Sequence, residues 1–432
     1  MRIGGRLAAA MEVLAALETQ HRPASQALAD WGRAHRFAGS GDRSAIGSLV
    51  YDVLRQRSSL AALMGSEAPR GLVLAAARHA FGLSVDEIAA AADGSEHAPA
   101  PLTDDERARL SAPLPDDTPP EIEADLPAWL LPSLRRAFAD RLVEEGRALA
   151  ERAPVDLRVN ALKADRDKVL KALSRFQAEA TPLSPLGVRI PPPKGSEKAP
   201  HVEAETAHGK GWFEVQDEGS QIAAALAGAG PRLQVLDLCA GAGGKTLAMA
   251  GAMQNTGQIY AYDSDRKQLR PIFERLKRAG VRNVQVLDGG DEAALRALGP
   301  RFDLVLIDAP CTGSGTWRRR PDSKWRLKPE ALSQRQLDQA EVLELAAAMV
   351  KPGGRLVYVT CSLLPEENGD RVAAIQAAPE EFTLKPFAEV WRARLTGEPP
   401  ASADGGTDGL LLTPAMHATD GFYIATLVRN PA

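Results

Sequence analysis

Apolar residues in the first part of the chain recur at the spacing of amphipathic α-helices. One stripe runs from Ile46 to Leu54 at positions i, i+3, i+4, i+7 and i+8. A second stripe starts at Leu7, and Glu12 interrupts the apolar run around it, which makes this segment unlike the apolar core of a secretory signal peptide. The pattern predicts an all-α domain over residues 1–92.

The pattern changes twice before residue 216. Residues 93–125 are rich in proline and acidic residues, which indicates a linker or a loosely ordered excursion. Helical spacing then returns, and it is followed by strands expected at 157–162 and 187–193 with a helix at 165–176 between them. We therefore predict a helical connector and a small α+β subdomain over residues 126–215.

From residue 216 onward, short runs of β-branched residues and leucine alternate with helical segments. This alternation is typical of a parallel sheet covered by helices, so an α/β doubly wound domain is expected over residues 216–432. The predicted helices start near 246 and cover 266–279 and 330–349, and the predicted strands are 233–238, 258–262, 283–287, 302–307, 355–360 and a closing hairpin strand at 421–429.

Composition narrows the function only slightly. The net charge of −4 gives no general affinity for nucleic acid, so any basic surface must be local. The three cysteines are widely spaced, which fits neither a disulfide framework nor a zinc site and predicts a cytoplasmic protein without a metal. No apolar run approaches the roughly 18 residues of a membrane span. We also expect the protein to be a monomer.

A glycine-rich loop, CAGAGGKT, follows the first strand of the last domain and precedes a helix. Gly241, Gly243 and Gly244 permit a tight turn and the close approach of a ligand, and a helix N-terminus favours an anionic group. A phosphate-binding P-loop would need glycine in place of Ala240, and a dinucleotide fingerprint would need glycine in place of Thr246. The loop therefore fits S-adenosylmethionine (SAM) better than either nucleotide.

An acidic residue after the second strand would then bind the ribose hydroxyls of SAM. Asp263 lies about 20 residues beyond the loop, where this role is expected. Asp288 or Asp291, after the third strand, would reach the adenine edge, and the spacing does not choose between them. The competing interpretation is that each acid only caps the helix that follows it.

Two cysteines and a carboxylate end the next two strands, with Asp308 and Cys311 in DAPC and Cys361 in TCS. Neighbouring strands lie about 4.8 Å apart, so these groups are expected on one wall of the SAM site. A thiolate that adds to carbon 6 of a pyrimidine activates carbon 5 for methylation. Asp308 would stabilise this adduct by protonating ring nitrogen 3, and a second thiol would assist its release. The alternative, a small buried hydrophobe, is preferred for Cys239.

A basic segment, residues 316–328, directly follows the DAPC motif. It contains six basic residues and one acid, Asp322, with Trp317 and Trp325 between them. This mixture is typical of a groove for single-stranded RNA, whose target base must be flipped out to meet a thiol; a solvated loop is the alternative. The predicted RNA-binding residues are Arg318, Arg319, Arg320, Lys324, Trp325 and Arg326.

Together these motifs resemble the RsmB/Nop/Sun family of RNA 5-methylcytosine methyltransferases. The resemblance extends from about residue 150 to the end, through LRVNALK, WFEVQDEGSQ, AGAGGKT, DAPCTGSGTWRRRPDSKW, TCSLLPEEN and DGFYIATLVR. It implies a class I SAM-dependent methyltransferase fold in which Cys361 is the nucleophile and Cys311 assists breakdown of the adduct. It also implies SAM contacts at Cys239, Ala240, Gly241, Ala242, Gly243, Gly244, Lys245, Asp263, Asp288 or Asp291, and Asp308.

The N-terminal helices are similar to a NusB-type RNA-binding domain through GDRSAIGSLVYDVLRQRSSL. The two resemblances together favour 16S ribosomal RNA as the substrate, with transfer RNA as the alternative. A non-catalytic RNA-binding assembly factor is a different class of function, which the intact Asp308, Cys311 and Cys361 disfavour. A uracil-5 methyltransferase would share the thiol chemistry, and the choice of cytosine rests on the resemblance.

Overall fold

The N-terminal part of the chain is a helical domain, in a computed structural model that describes residues 1–20, 22–195, 197, 200–376 and 381–431. Its helices are α1 (Ile3–Gln20), α2 (Ala24–Ala34), α3 (Ser40–Arg55), α4 (Arg57–Met64), α5 (Pro69–His79), α6 (Val85–Ala91) and α7 (Asp104–Ser111). The core lies between α1, α3 and α5, where Ile46, Val53 and Leu74 are fully buried. Within the described residues, no helix is both long enough and apolar enough to cross a membrane.

Residues 93–125 pack onto this domain, and here the structure differs from the predicted linker. Helix α7 begins with a capping box, in which the Glu106 N–H donates to the Thr103 hydroxyl at 3.1 Å and the Thr103 N–H donates to the Glu106 carboxylate at 2.9 Å. Leu110 is buried in the helical core, and Arg70 pairs with Glu106 at 2.7 Å. A short helix, α8 (Pro120–Glu123), completes the segment.

A helical connector and a small sheet join the helical domain to the main sheet. Helices α9 (Leu131–Phe138) and α10 (Leu142–Leu149) bury Leu134, Phe138 and Leu149 in the same core as the main sheet. An antiparallel sheet of order β2-β3-β1-β4 follows, and two of its strands are too short to show a pattern in the sequence. Its elements are β1 (Val155–Val159), α11 (Arg166–Ala172), β2 (Glu179–Ala180), β3 (Gly187–Ile190), α12 (Thr206–Gly209) and β4 (Phe213–Val215).

The last domain is built on a mostly parallel sheet with strands β5 (Gln234–Asp237), β6 (Gln258–Ala261), β7 (Val284–Val286), β8 (Phe302–Asp308), β9 (Val350–Thr360), β10 (Phe382–Lys385), β11 (Leu410–Leu412) and β12 (Phe422–Arg429). The strand order is β10-β12-β9-β8-β5-β6-β7, and β12 lies antiparallel between β9 and β10. The predicted doubly wound α/β fold is confirmed. The helices are α13 (Glu218–Leu226), α14 (Gly244–Ala252), α15 (Arg266–Leu269), α16 (Ile272–Ala279), α17 (Glu292–Arg296), α18 (Pro321–Arg326), α19 (Pro329–Met349), α20 (Gly369–Gln376), α21 (Phe387–Arg394) and α22 (Pro414–His417).

Two details of this domain depart from the sequence pattern. The helix predicted over 266–279 is divided into α15 and α16 at Pro271, which has no N–H to continue the helical hydrogen bonds. Strand β9 starts at Val350 instead of 355, and Gly353, near its start, has a φ of 74°. The second difference lies at the amino end of β9, away from the carboxyl edge of the sheet.

Both faces of the main sheet are covered, and this fixes where a ligand can bind. Along β9, Leu356 and Tyr358 face one core while Val357 and Val359 face the other. With both faces closed, the open part of the sheet is its carboxyl edge, where ligands bind in doubly wound folds. Strands β5, β8 and β9 are parallel neighbours, so the segments that follow them meet at this edge.

Candidate active site

Cys311 and Cys361 follow the neighbouring strands β8 and β9, and their Sγ atoms lie 3.5 Å apart. The hydrogen bond between the two sulphurs, together with burial, raises the pKa of the Cys311 thiol well above its usual range. Cys311 therefore keeps its proton at neutral pH and can donate it to the Cys361 sulphur. The pair places a proton donor directly beside a potential nucleophile.

Asp308 ends β8 and contacts the glycine loop through a lysine. The Lys245 ammonium, in the first turn of α14, donates to the Asp308 carboxylate at 2.6 Å. The Lys245 side chain is 7% exposed and that of Asp308 is 37% exposed. The carboxylate therefore faces the cleft with a proton source bonded to it, so a base that enters the cleft meets both.

The glycine loop is shaped by backbone that only glycine adopts easily. Gly241 has a φ of 50° and Gly243 a φ of 82°. A Cβ at Gly243 would lie 2.5 Å from Ile272, whereas a Cβ at Gly241 would meet nothing within 4 Å. The loop is therefore packed tightly on its inner side and open on its outer side. Asp263 fixes the loop, because its carboxylate accepts the Gly241 N–H at 2.9 Å.

A cleft of about 1210 Å³ joins the glycine loop to the two thiols. At the loop end it is flanked by Asp263, Asp265 and Glu292, and at the other end by Cys311 and Cys361. The structure thus brings most of the predicted cofactor residues into one space. Those in the lining are Cys239, Ala240, Gly241, Ala242, Gly244, Lys245, Asp263 and Asp308.

Two predicted acids lie outside this lining. Asp288 is exposed and pairs with Arg266 at 3.0 Å. Asp291 is exposed and caps α17, where its carboxylate accepts the Ala294 N–H at 2.9 Å. Neither residue lines the cleft, and the contact of Asp291 matches the alternative interpretation of a helix cap.

Cys239 lies in the lining but has a different environment from the other two cysteines. Burial, followed by the charges of Asp263, Asp308 and Asp237, raises the pKa of the Cys239 thiol well above its usual range. It packs against the core of the main sheet. A thiol that stays protonated beside three carboxylates matches the structural role preferred for it in the sequence.

The basic segment that follows Cys311 requires a correction, because its first arginine, Arg318, is internal. Arg318 is 5% exposed and pairs with Asp420 and Asp217. Arg319 pairs with the same two carboxylates, and these charges raise the pKa of its guanidinium further. The two arginines neutralise buried acids from distant parts of the chain. Arg318 is thereby closed to RNA, whereas the Arg319 side chain is 32% exposed and lines the cleft.

The second half of the segment contacts the helical domain. The Lys324 ammonium is 1% exposed and donates to the Arg55 carbonyl at 3.0 Å, and the Trp325 indole N–H donates to the Leu54 carbonyl at 2.6 Å. Lys324 is therefore unavailable to RNA, contrary to the prediction, whereas the Trp325 ring is half-buried. Arg320 and Arg326 are exposed, and Arg319 and Trp325 are half-buried, so for these four residues contact with RNA stays a prediction.

Several polar residues of the site were not identified from the sequence. Arg158 is fully buried and donates to the Gln216 side chain and to the Gly244 carbonyl, both at 2.7 Å. Burial lowers its pKa to about 10. Asp237 is also buried, which raises its pKa to about 7, and its carboxylate accepts the Thr246 hydroxyl at 2.6 Å. The motifs LRVNALK and WFEVQDEGSQ contain Arg158 and Gln216, but they do not show that these polar residues meet.

Comparisons with known proteins agree with this geometry. Residues 226–428 match the family described as 16S rRNA methyltransferase RsmB/F, and residues 126–195 match the ferredoxin-like domain of RsmF/B-like methyltransferases. A ribosomal RNA small subunit methyltransferase B of Klebsiella pneumoniae is 35% identical over 305 residues, which are 70% of this chain and 65% of that relative. The matched region thus spans slightly less than two thirds of the relative's length.

Two solved structures extend the comparison to the fold. The crystal structure of PH0851 is 25% identical, with a TM-score of 0.72 over 99% of both chains. A methyltransferase homologue from Pyrococcus horikoshii is 27% identical, with a TM-score of 0.59 over 72% of this chain and 97% of that one. With its thiol pair, its glycine loop and both matched domains, the chain belongs to the RsmB/F family of methyltransferases.

Proposed function

We propose that this protein transfers the methyl group of SAM to carbon 5 of a cytosine in RNA through a covalent cysteine–cytosine adduct. The observation that carries the proposal is the pair of thiols 3.5 Å apart in the cleft that also contains the glycine loop. Family membership supports an RNA methyltransferase in general. The choice of carbon 5 follows from the chemistry that adjacent thiols offer to a pyrimidine.

The residues at the loop end of the cleft fit SAM. The open side of Gly241 lets a ligand approach the backbone, and the N-terminus of α14 favours the amino-acid carboxylate. Each Asp263 oxygen accepts one backbone N–H and retains a lone pair for a ribose hydroxyl. When bound, SAM supplies the methyl group as a sulfonium electrophile.

The two thiols divide the covalent chemistry. Cys361, as a thiolate, adds to carbon 6 of the base and makes carbon 5 electron-rich. The neighbouring Cys311 S–H stabilises this thiolate before the attack. After carbon 5 carries the methyl group, its hydrogen must leave as a proton so that the ring double bond reforms and Cys361 departs. Bonding of Cys361 to the base removes the hydrogen bond and the charge that raise the pKa of Cys311, so Cys311 can then lose its own proton to solvent and, as a thiolate, accept the hydrogen of carbon 5. The Lys245–Asp308 pair holds a proton for ring nitrogen 3.

We further propose 16S ribosomal RNA as the substrate, because the matching family and the Klebsiella pneumoniae relative are named for the small-subunit RNA. The exposed guanidinium of Arg320 lies in the cleft lining and has no ion-pair partner among the described residues. It is suited to bind a phosphate of the flipped nucleotide. Transfer RNA is the competing substrate, and an assay decides between them.

The test uses RNA that carries tritium at carbon 5 of cytosine, because methylation of that atom must release the label into water. We expect SAM-dependent release from 16S RNA with the wild-type protein and none with Cys361→Ala. Cys239→Ala is the matched control and should retain activity within about threefold, since it keeps the backbone of the glycine loop and removes a thiol that takes no part in the proposed covalent chemistry. Methyl incorporation without tritium release would refute carbon 5 as the target, and release from transfer RNA alone would refute the proposed substrate.

A further inference from the structure

A single buried carboxylate links the segments that carry the two thiols. Glu367 is fully buried. One of its oxygens accepts the Thr312 N–H at 2.9 Å and the Gln339 amide at 3.1 Å. The other accepts the hydroxyls of Thr312 and Ser362, both at 2.5 Å. Four donors therefore converge on one side chain.

Two of these partners are next to the thiols in the chain. Thr312 directly follows Cys311, and Ser362 directly follows Cys361. These residues belong to segments that leave two different strands, so their relative position is not fixed by the covalent chain. The Glu367 carboxylate spans the gap, and a movement of either segment would stretch at least one of its hydrogen bonds.

Stability alone is a weak reason to keep a carboxylate here. Burial raises the pKa of Glu367, which means that the interior disfavours its charged form. Replacing a buried charge by a well-packed apolar side chain is often neutral or stabilising. A group that is unfavourable for folding yet fully hydrogen-bonded to both thiol segments is better explained by the geometry it maintains.

We propose that Glu367 is a positioning residue that holds Cys311 and Cys361 at their short separation. Its catalytic consequence rests on the function proposed above, in which both thiols act on one base. The effect on the separation itself does not rest on that function. In this role, the length of the side chain matters more than its charge.

Shortening and neutralising the side chain separate these two properties. Glu367→Asp keeps the carboxylate but is about 1.5 Å shorter, so it cannot span both segments. Glu367→Gln keeps the length, and the hydroxyls of Thr312 and Ser362 can rotate to accept from its amide. The same two substitutions at Glu366 are matched controls, because its side chain bonds Ser133 and Arg136 on the connector.

The first readout is oxidation of the thiols, which does not require RNA or SAM. Hydrogen peroxide takes two electrons and two protons from Cys311 and Cys361, forms one S–S bond and leaves as two water molecules. We expect the wild type and Glu367→Gln to form this disulfide at rates within about threefold of each other, and Glu367→Asp to form it at least about tenfold more slowly. Equal rates in Glu367→Asp and the wild type would overturn the proposal.

The second readout is methylation. A displacement of about 1 Å in a reacting group costs about 100-fold in rate, so kcat should fall about 100-fold in Glu367→Asp while KM for SAM stays within about threefold. Glu367→Gln should retain activity within about tenfold. The opposite order, with Asp active and Gln inactive, would show that the charge acts directly and would overturn the positioning role. Slow disulfide formation in Glu367→Asp alone, together with no methylation by any of the proteins, would instead refute the proposed function and leave the positioning role intact.

Discussion

Lys324 allows a test of the contact between the helical domain and the basic segment, residues 316–328. Its ammonium is buried against Asp125 and Arg55, and desolvation lowers its pKa from 10.5 to about 8. Replacing it by methionine keeps a long, flexible side chain and removes the charge. We predict that Lys324→Met is more stable than the wild type at pH 7.

The expected gain can be worked from the pKa. The difference between 10.5 and about 8 means that the folded state disfavours the charged ammonium by about 3 kcal/mol, and this value already includes the attraction to Asp125. Methionine loses the hydrogen bond to the Arg55 carbonyl, which costs about 1 kcal/mol. The net gain in the free energy of unfolding is therefore about 2 kcal/mol.

The difference in stability between Lys324→Met and the wild type changes with pH, and this dependence identifies the charge of Lys324 as its cause. Below pH 8 the lysine is charged in both states, so the wild type carries the full penalty. As the pH rises from 8 to 10.5, the folded state loses its proton first and the penalty disappears. The advantage of Lys324→Met should therefore shrink over this range and reverse by about 1 kcal/mol above it.

Urea denaturation at pH 7 and at successive pH values to above 10.5 measures this difference. The control is Lys328→Met, which removes an exposed lysine of the same segment and should change stability by less than about 0.5 kcal/mol at every pH. RNA affinity should be unchanged in Lys324→Met, because the side chain has no surface to offer. A variant that is less stable than the wild type at pH 7, or that binds RNA more weakly, would refute this account of Lys324.

Two further predictions concern the cleft. Arg320→Ala should weaken RNA binding about tenfold and reduce its salt dependence by about one charge. Arg326→Ala, farther from the cleft, should have a smaller effect. Filter binding at several salt concentrations measures both variants, and equal effects would contradict the role of Arg320. Gly243→Ala should lower the free energy of unfolding by about 2 kcal/mol or more, because the position has a positive φ and its Cβ would collide with Ile272. Gly251→Ala, at an open helical position, is the control and should be neutral or stabilising. Thermal melting measures both variants.

The sequence predicts those features that depend on the local pattern of residues and on the strand order of doubly wound folds. Alternating strands and helices predict a doubly wound sheet, and its strand adjacency then brings the segments after β8 and β9 together. The meeting of Cys311 and Cys361 therefore follows from the sequence pattern alone. The capping box at Thr103 is equally visible in the sequence, but the proline-rich composition around it favours a linker.

What the sequence could not predict are contacts between distant polar residues. Arg318 and Arg319 belong to a basic segment, and their acidic partners, Asp217 and Asp420, lie about 100 residues away in each direction. Sequence pattern cannot show that these charges meet, so the arginines resemble free basic groups along the chain. For the same reason the contacts of Glu367 cannot be predicted from the sequence, because its four donors come from three separate segments of the domain.

The central claim is that Cys361 attacks the base and Cys311 helps to release it. Wild type, Cys311→Ala and Cys361→Ala can be incubated with 16S RNA and SAM and then separated by denaturing electrophoresis, where only a covalent protein–RNA adduct migrates as one band. The account predicts a persistent adduct with Cys311→Ala and none with Cys361→Ala. An adduct with Cys361→Ala, or continued methylation by that variant, would contradict it.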